Sequence, residues 1–231
     1  MASLQTPTSP IEYQALLFDL DGTLLDTADD LGAALNSVLH NHQQPLVGSD
    51  IYRPAASNGA AALLAAGFKD AWAQQPQEQL LAELVAHYAA NIATHTQCFV
   101  GIEQLLIALD NKGIPWGIMT NKPGFLTDPL VEAIPALKNA QIVISGDTLA
   151  ESKPSPLPLL HCAEQMSVDP SRCLYIGDAQ RDIQAGKAAN MHTATALWGY
   201  VPSIDEALAW NADFNWHSPI DAFNHILCHV N

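Results

Sequence analysis

Positive charge is what this chain has least of. Nine Lys and Arg residues stand against 24 Asp and Glu in 231 residues, a formal net charge of −15, and such a field opposes a phosphate backbone or an anionic bilayer. Nucleic acid and membrane are therefore not expected as partners. Cysteine is scarce too. Cys98, Cys162, Cys173 and Cys228 are widely spaced and form no paired metal-ligand pattern; three of them fall in apolar strand or helix faces, so they read as free thiols. The sequence also offers no charged start followed by a long apolar signal region, no apolar run long enough to span a bilayer, and no pattern repeating at a fixed period. These absences point to a cytoplasmic compartment and exclude a solenoid; they leave the oligomeric state open. The length suits one large domain or a core with a smaller insert.

What is there begins with Phe18-Asp19-Leu20-Asp21-Gly22-Thr23. Four apolar residues, Ala15 to Phe18, run into two acids and a glycine, as a strand buried on both faces would before a tight turn. A strand of that kind belongs to a parallel sheet covered by helices, whose carboxyl edge is where ligands bind. Alternate residues point the same way, so Asp19 and Asp21 can converge, and two acids in one crevice suit a hard divalent cation. A calcium loop is a poor fit, because its glycine stands sixth and Gly22 stands fourth.

Met1 to Pro10 are polar with two prolines and read as a loose leader without function. Beyond the acidic turn, Asp26-Thr27-Ala28-Asp29-Asp30 offers capping residues for a helix through Leu31, Leu35, Val38 and Leu39. Alanine-rich stretches from Asn58 to Phe68 and from Gln77 to Ala93 extend a helical bundle with no convincing strand between about Asp30 and Gln97. Residues 30–97 are thus expected to be a helical insert after the first strand, with 1–29 and 98–231 forming an α/β core. In the core a helix is expected over Gly101 to Leu109, with strands over Ile114 to Met119, Gln141 to Ile144, Cys173 to Ile176, Ala194 to Leu197 and Ala212 to Trp216. Helices are expected through Leu159 to Met166 and through Ile183 to Ala188. A last helix starts at Ser218, with Pro219 at its first position and Asp221 in its first turn.

Four strand ends then carry polar groups on one edge: Asp19 and Asp21; Thr120 and Asn121; Lys153; Asp178 and Asp182. That inventory holds what phosphoryl transfer through a covalent aspartyl-phosphate needs: a nucleophilic carboxylate, an acid/base, charge neutralisation and a metal. In this order the chain resembles the haloacid dehalogenase superfamily, and within it the phosphatases with a helical cap after the first strand. The resemblance covers nearly the whole chain. It implies a Rossmann-like parallel sheet core, with Asp19 as nucleophile and Asp21 as general acid and then base. It further implies that Thr120 and Asn121 hold the phosphoryl group and that Lys153 neutralises charge. Mg2+ would sit on Asp19, Asp178 and the backbone carbonyl of Asp21, supported by Asp182. Asn190 departs from the glycine that relatives often carry after the Ile183 helix, and Asn tolerates the left-handed conformation expected there.

Other chemistries of the superfamily are distinguished by single residues. A dehalogenase need not protonate an alcohol, so Asp21 argues for phosphoryl transfer. Carbon–phosphorus cleavage would need a Schiff-base lysine in the insert, where Lys69 stands alone between Asp30 and Gln97. A sugar-phosphate mutase stays open, and a phospho-accepting signalling domain is the non-enzymatic alternative. Among capped phosphatases the chain looks most like those labelled phosphoglycolate phosphatase and N-acetylmuramic acid 6-phosphate phosphatase, both of which act on small carboxylated phosphate esters. For the substrate carboxylate the sequence offers Arg53, the only arginine of the insert, with Ser57 or Asn58, in its most loop-like stretch.

Overall fold

The computed structural model describes residues 12–230, so the polar leader from Met1 to Pro10 lies outside the described residues. The chain enters through β1 (Ala15–Phe18), turns, and forms β2 (Leu25–Asp26) before the insert α1 (Ala28–Asn41), α2 (Ser49–Ala56), α3 (Gly59–Phe68) and α4 (Gln77–Ala90). It returns through β3 (Gln97–Cys98), which pairs antiparallel with β2, and continues as α5 (Ile102–Lys112) and β4 (Trp116–Met119). Then come α6 (Gly124–Ala133), β5 (Ile142–Ile144), α7 (Leu157–Gln165), β6 (Cys173–Gly177), α8 (Gln180–Ala188), β7 (His192–Ala196), α9 (Ile204–Leu208), β8 (Phe214–Trp216) and α10 (Pro219–Leu227). Among the described residues, no helix is long and apolar enough to cross a membrane.

Six strands form one parallel sheet in the order β5-β4-β1-β6-β7-β8. β1 lies between β4 and β6, with Leu16 beside both Trp116 and Leu174. The chain builds outward from β1 through β4 to β5, then crosses to the other side for β6 to β8, so the strand order reverses at β1, the place where open α/β sheets bind ligands. Period-2 alternation divides the apolar residues between two layers. Leu16, Phe18, Ile118, Leu174 and Ile176 face α5 and α10, while Ala15, Leu17, Met119 and Tyr175 face α7 and α8. Burial on both faces is why β1, β4 and β6 read as unbroken apolar runs.

The insert has a separate apolar cluster, built from Leu35, Leu39, Leu63, Leu64, Phe68, Leu80, Leu84 and Tyr88. The start of α1 differs from its sequence signal. No side chain of the Asp26 to Asp30 run caps it; the Tyr200 hydroxyl accepts from the Thr27 and Ala28 N–H groups at 2.7 and 2.9 Å. Local capping loses here because the acids are engaged elsewhere: Asp30 accepts from the N–H groups of His95 and Thr96 and from the Thr96 hydroxyl, tying the way into the insert to the way out. The stretch around Arg53 is helix rather than loop. α2 carries Pro54 in its interior, and packing against α1 and α3, with the Tyr52 ring seated on Gly32, offsets the hydrogen bond that proline removes. Asn190 adopts φ +59° after α8, the left-handed conformation that its position requires.

At the far edge, His225 stacks on His229 with ring centroids 4.3 Å apart and lies against Phe214 and Trp216; its Nε2 is buried without a hydrogen-bond partner among the described residues. Burial, and then the neighbouring His229, push its pKa below the usual 6.5. A depressed pKa means that folding favours the neutral ring, so this contribution is whole above pH 6.5 and is lost as pH falls through the folded value. Urea midpoints at pH 7.5 and 5.5 should therefore show a drop for the parent that is visibly smaller for His225→Phe; an identical drop in both would remove His225 from the account.

Candidate active site

Asp19 follows β1 directly and is only 4% exposed. Its N–H donates to the Ile176 carbonyl, continuing the ladder to β6, while its Oδ1 accepts from Leu20 N–H at 2.8 Å and from Lys153 Nζ at 2.9 Å. Lys153 also reaches Asp182 Oδ1 at 2.7 Å, the Met119 carbonyl and the Tyr175 hydroxyl. Asp178 follows β6 directly and accepts from Tyr200 N–H at 2.8 Å. Its carboxylate approaches the turn after Asp21 so closely that a Cβ on Gly22, at φ +81°, would come within 2.2 Å of Oδ2. Only glycine allows both that backbone conformation and that approach.

Three carboxylates, Asp19, Asp178 and Asp182, thus have oxygens within 4.8 Å of one another, all buried. Burial raises the Asp19 pKa; Lys153 works against this and Asp182 adds to it. Asp178 is held well above the usual carboxylate range, again by burial first and then by Asp19 and Asp182. Lys153 shows the converse. Burial would lower its pKa, yet Asp182 and Asp19 outweigh it and the ammonium is favoured. One buried lysine among three carboxylates leaves negative charge in excess, and a group of oxygen donors in that condition fits a hard divalent cation. Asp182 has the least to give such an ion, since its oxygens already accept from Lys153, Tyr175 and the Ala179 N–H.

Asp21 is bound quite differently. Lys122 Nζ sits 2.8 and 3.1 Å from its two oxygens, and the Thr27 hydroxyl donates to Oδ1 at 2.6 Å. The same ammonium donates to the hydroxyl of Tyr88, from α4 of the insert, at 2.9 Å. Thr120 is buried at the end of β4, and its hydroxyl accepts from Lys122 N–H. The Asn121 amide clasps the backbone of Lys153 from both sides, at 2.9 and 3.0 Å, which fixes where that lysine starts.

Between core and insert lies a cavity of about 490 Å³. Asp19, Asp21, Thr120, Asn121 and Lys122 line its floor, and Leu31, Leu84, Val85 and Leu126 are among its apolar walls. Ser57 and Asn58 line it where α3 begins, and Arg181 of α8 reaches across to the Ser57 carbonyl, the Ser57 hydroxyl and Asn58 Oδ1. Arg53 is not among the lining residues. Its guanidinium forms a two-pronged pair with Asp26 at 2.8 and 2.7 Å beside the Tyr200 ring, where the chain enters the insert.

The structure therefore brings Asp19, Asp21, Thr120, Asn121, Lys153, Asp178, Asp182 and Ser57 into one region and leaves Arg53 out of the cavity. Sequence reasoning gave no role to Lys122, Tyr88, Arg181 or Tyr200. Lys122 and Arg181 sit inside the very runs that flag the strand ends, so they were findable; Tyr88 and Tyr200 lie far from any such run and carry no local signal. Lys122, Lys153 and Arg181 are three of the nine cationic side chains of the whole chain. They stand against the four carboxylates of Asp19, Asp21, Asp178 and Asp182, and Lys122 and Lys153 are paired with three of these.

Fold and site together define an α/β enzyme with an acidic centre beneath a helical insert. The family model for haloacid dehalogenase-like hydrolases matches residues 16–196. A phosphoglycolate phosphatase of Xanthomonas campestris pv. campestris (strain 8004) is 43% identical over 202 residues, covering 87% of this chain and 90% of its own length. An N-acetylmuramic acid 6-phosphate phosphatase of Pseudomonas aeruginosa is 36% identical over 221 residues, covering 94% of this chain and 98% of its own. A Haemophilus somnus crystal structure, described as a predicted phosphoglycolate phosphatase, superposes with a TM-score of 0.82 at 24% identity over 92% of this chain and 97% of its own, a likeness that bears on the fold alone. The chain belongs to the haloacid dehalogenase-like hydrolase family and is one of its phosphatases.

Proposed function

We propose that this phosphatase is a Mg2+-dependent phosphomonoesterase that works through an aspartyl-phosphate on Asp19, with a small carboxylated phosphate ester such as 2-phosphoglycolate as substrate. The observation that carries the reading is the buried Asp19 carboxylate on the cavity floor, charge-paired to Lys153 at 2.9 Å, with a second acid, Asp21, in the same cavity. An Asp19 oxygen attacks phosphorus as the ester P–O bond breaks, and the leaving oxygen takes its proton from the Asp21 carboxyl. Water then attacks phosphorus and gives a proton to the Asp21 carboxylate; the bond from Asp19 to phosphorus breaks and inorganic phosphate leaves. Thr120 and Asn121 hold the phosphoryl oxygens, and Lys153, held by Asp182, offsets charge on Asp19. Asp19, Asp178 and the Asp21 carbonyl are the groups that would hold Mg2+, which when bound neutralises charge shared by nucleophile and phosphate. Residues 30–97 act as the cap, and Ser57, Asn58 and Arg181 contact the substrate carboxylate, the arginine fork matching its geometry.

A second reading, N-acetylmuramic acid 6-phosphate, is favoured by the cavity. Its volume of about 490 Å³ is within the range of about 300–1,000 Å³ found for sites that enclose drug-sized ligands, and its walls are largely apolar, more than a two-carbon ester requires. Phosphate release from a panel containing both esters and an uncarboxylated ester of similar size tests this. We expect activity to vanish in excess EDTA and return with Mg2+, and a carboxylated ester to be preferred by about tenfold or more in kcat/KM. Release that survives EDTA, or indifference to the carboxylate, would count against the site as drawn.

A further inference from the structure

The Lys122 ammonium has three N–H donors, and three oxygens surround it: Asp21 Oδ1 at 2.8 Å, Asp21 Oδ2 at 3.1 Å and the Tyr88 hydroxyl at 2.9 Å. No donor is left over for a phosphoryl oxygen. The side chain is only 7% exposed and Asp21 16%, so little solvent screens the pair, and Nζ also lies 4.5 Å from the centre of the Tyr88 ring. Asp21 and Lys122 come from the core, whereas Tyr88 is on α4 and is anchored in the insert's own apolar cluster.

We infer that Lys122 is a positioning residue that holds the Asp21 carboxylate for the water-activating half of the reaction, and that Tyr88 seats Lys122 from the insert. The inference rests on the reading of Asp21 as acid and then base. An ammonium pairs with a carboxylate and not with the protonated acid. Asp21 is a carboxylate once the alcohol has left with its proton, so the pair belongs to the half in which water gives a proton to Asp21 and phosphate leaves Asp19. Thr27 fixes one oxygen of Asp21; Lys122 spans both and thereby sets the orientation of the carboxylate plane. Because the third donor of Lys122 ends on Tyr88, the base is fully oriented only while the insert lies over the core.

The test separates the two half-reactions with p-nitrophenyl phosphate, whose leaving group needs no proton, and an alkyl phosphate, 2-phosphoglycolate, whose leaving group does. Lys122→Met should lower kcat by about tenfold or more on both substrates, bring the two values together, and show a burst of nitrophenol with phosphate trapped on protein in rapid-quench samples. Lys122→Arg should restore part of the rate. Tyr88→Phe, which removes one hydroxyl and keeps the ring, should move kcat the same way by a few-fold at unchanged melting temperature, so the inference stays exposed even if Lys122→Met folds poorly. Parent-like turnover in both Lys122→Met and Tyr88→Phe, or slower turnover without trapped phosphate, overturns it. Asp21→Asn serves as the reference: if that variant traps no phosphate either, the reading of Asp21 itself has failed and this inference falls with it.

Discussion

Asp19→Asn is expected to lower phosphatase turnover by about 10⁴-fold or more while leaving the protein as stable as the parent, or more so. The two halves of that expectation have one cause. Asp19 is buried at the end of the central strand, and folding pushes its pKa up, so the fold carries an ionised group that it would rather hold neutral. Asparagine keeps the shape and can still accept from Leu20 N–H, but it has no charge to bury and no carboxylate with which to attack phosphorus. Lys153 keeps its partner in Asp182. Loss of function without loss of stability is the signature of a strained catalytic group. Rapid-quench labelling should detect no phosphate on this variant. A variant that turns over normally means the nucleophile lies elsewhere; one that loses turnover because it unfolds at a lower temperature means Asp19 is structural.

Lys153→Met should behave in the opposite way, losing activity and stability together. Lysine here is the cation between Asp19 and Asp182, and both carboxylates stay behind when it goes. Removing one partner of a buried ion pair costs about 3–5 kcal/mol, because the remaining charge has neither water nor counter-charge. Lys153 also ties the loop before α7 to the end of β4 and the middle of β6 through the Met119 carbonyl and the Tyr175 hydroxyl, so the loss falls on three elements of the core. Denaturant unfolding of the parent and the two variants, Asp19→Asn and Lys153→Met, measures the contrast directly. Should Lys153→Met unfold at the parent midpoint, the buried triad is not what holds these strand ends in place.

The same residues show how far a sequence can be read. The strand before Asp19, the acids after β6 and the helix begun by Ser218 were all legible, because each is set by neighbours within a few residues: an apolar run buried on both faces, or a side chain whose oxygen reaches the N–H three positions on. The Ser218 hydroxyl does accept from Asp221 N–H at 3.2 Å. Arg53 was not legible. As the one arginine of the insert it was matched with a substrate carboxylate, yet Asp26, 27 positions earlier in the chain, takes its fork, while Arg181 of the core occupies the position on the cavity that Arg53 was expected to hold.

The sequence by itself determined the layered α/β core, the helical insert and the collection of polar strand ends on one sheet edge, since apolar periodicity, turn residues and chain order are local and survive without knowledge of any distant contact. Tertiary structure alone decided which charges pair. Asp19 and Asp21 are two residues apart and chemically the same, but the pleat and the turn at Gly22 deliver one to Lys153 and the other to Lys122 and Thr27. An ion pair forms between whichever groups the folded backbone brings within a few ångströms, and no spacing along the chain encodes that distance.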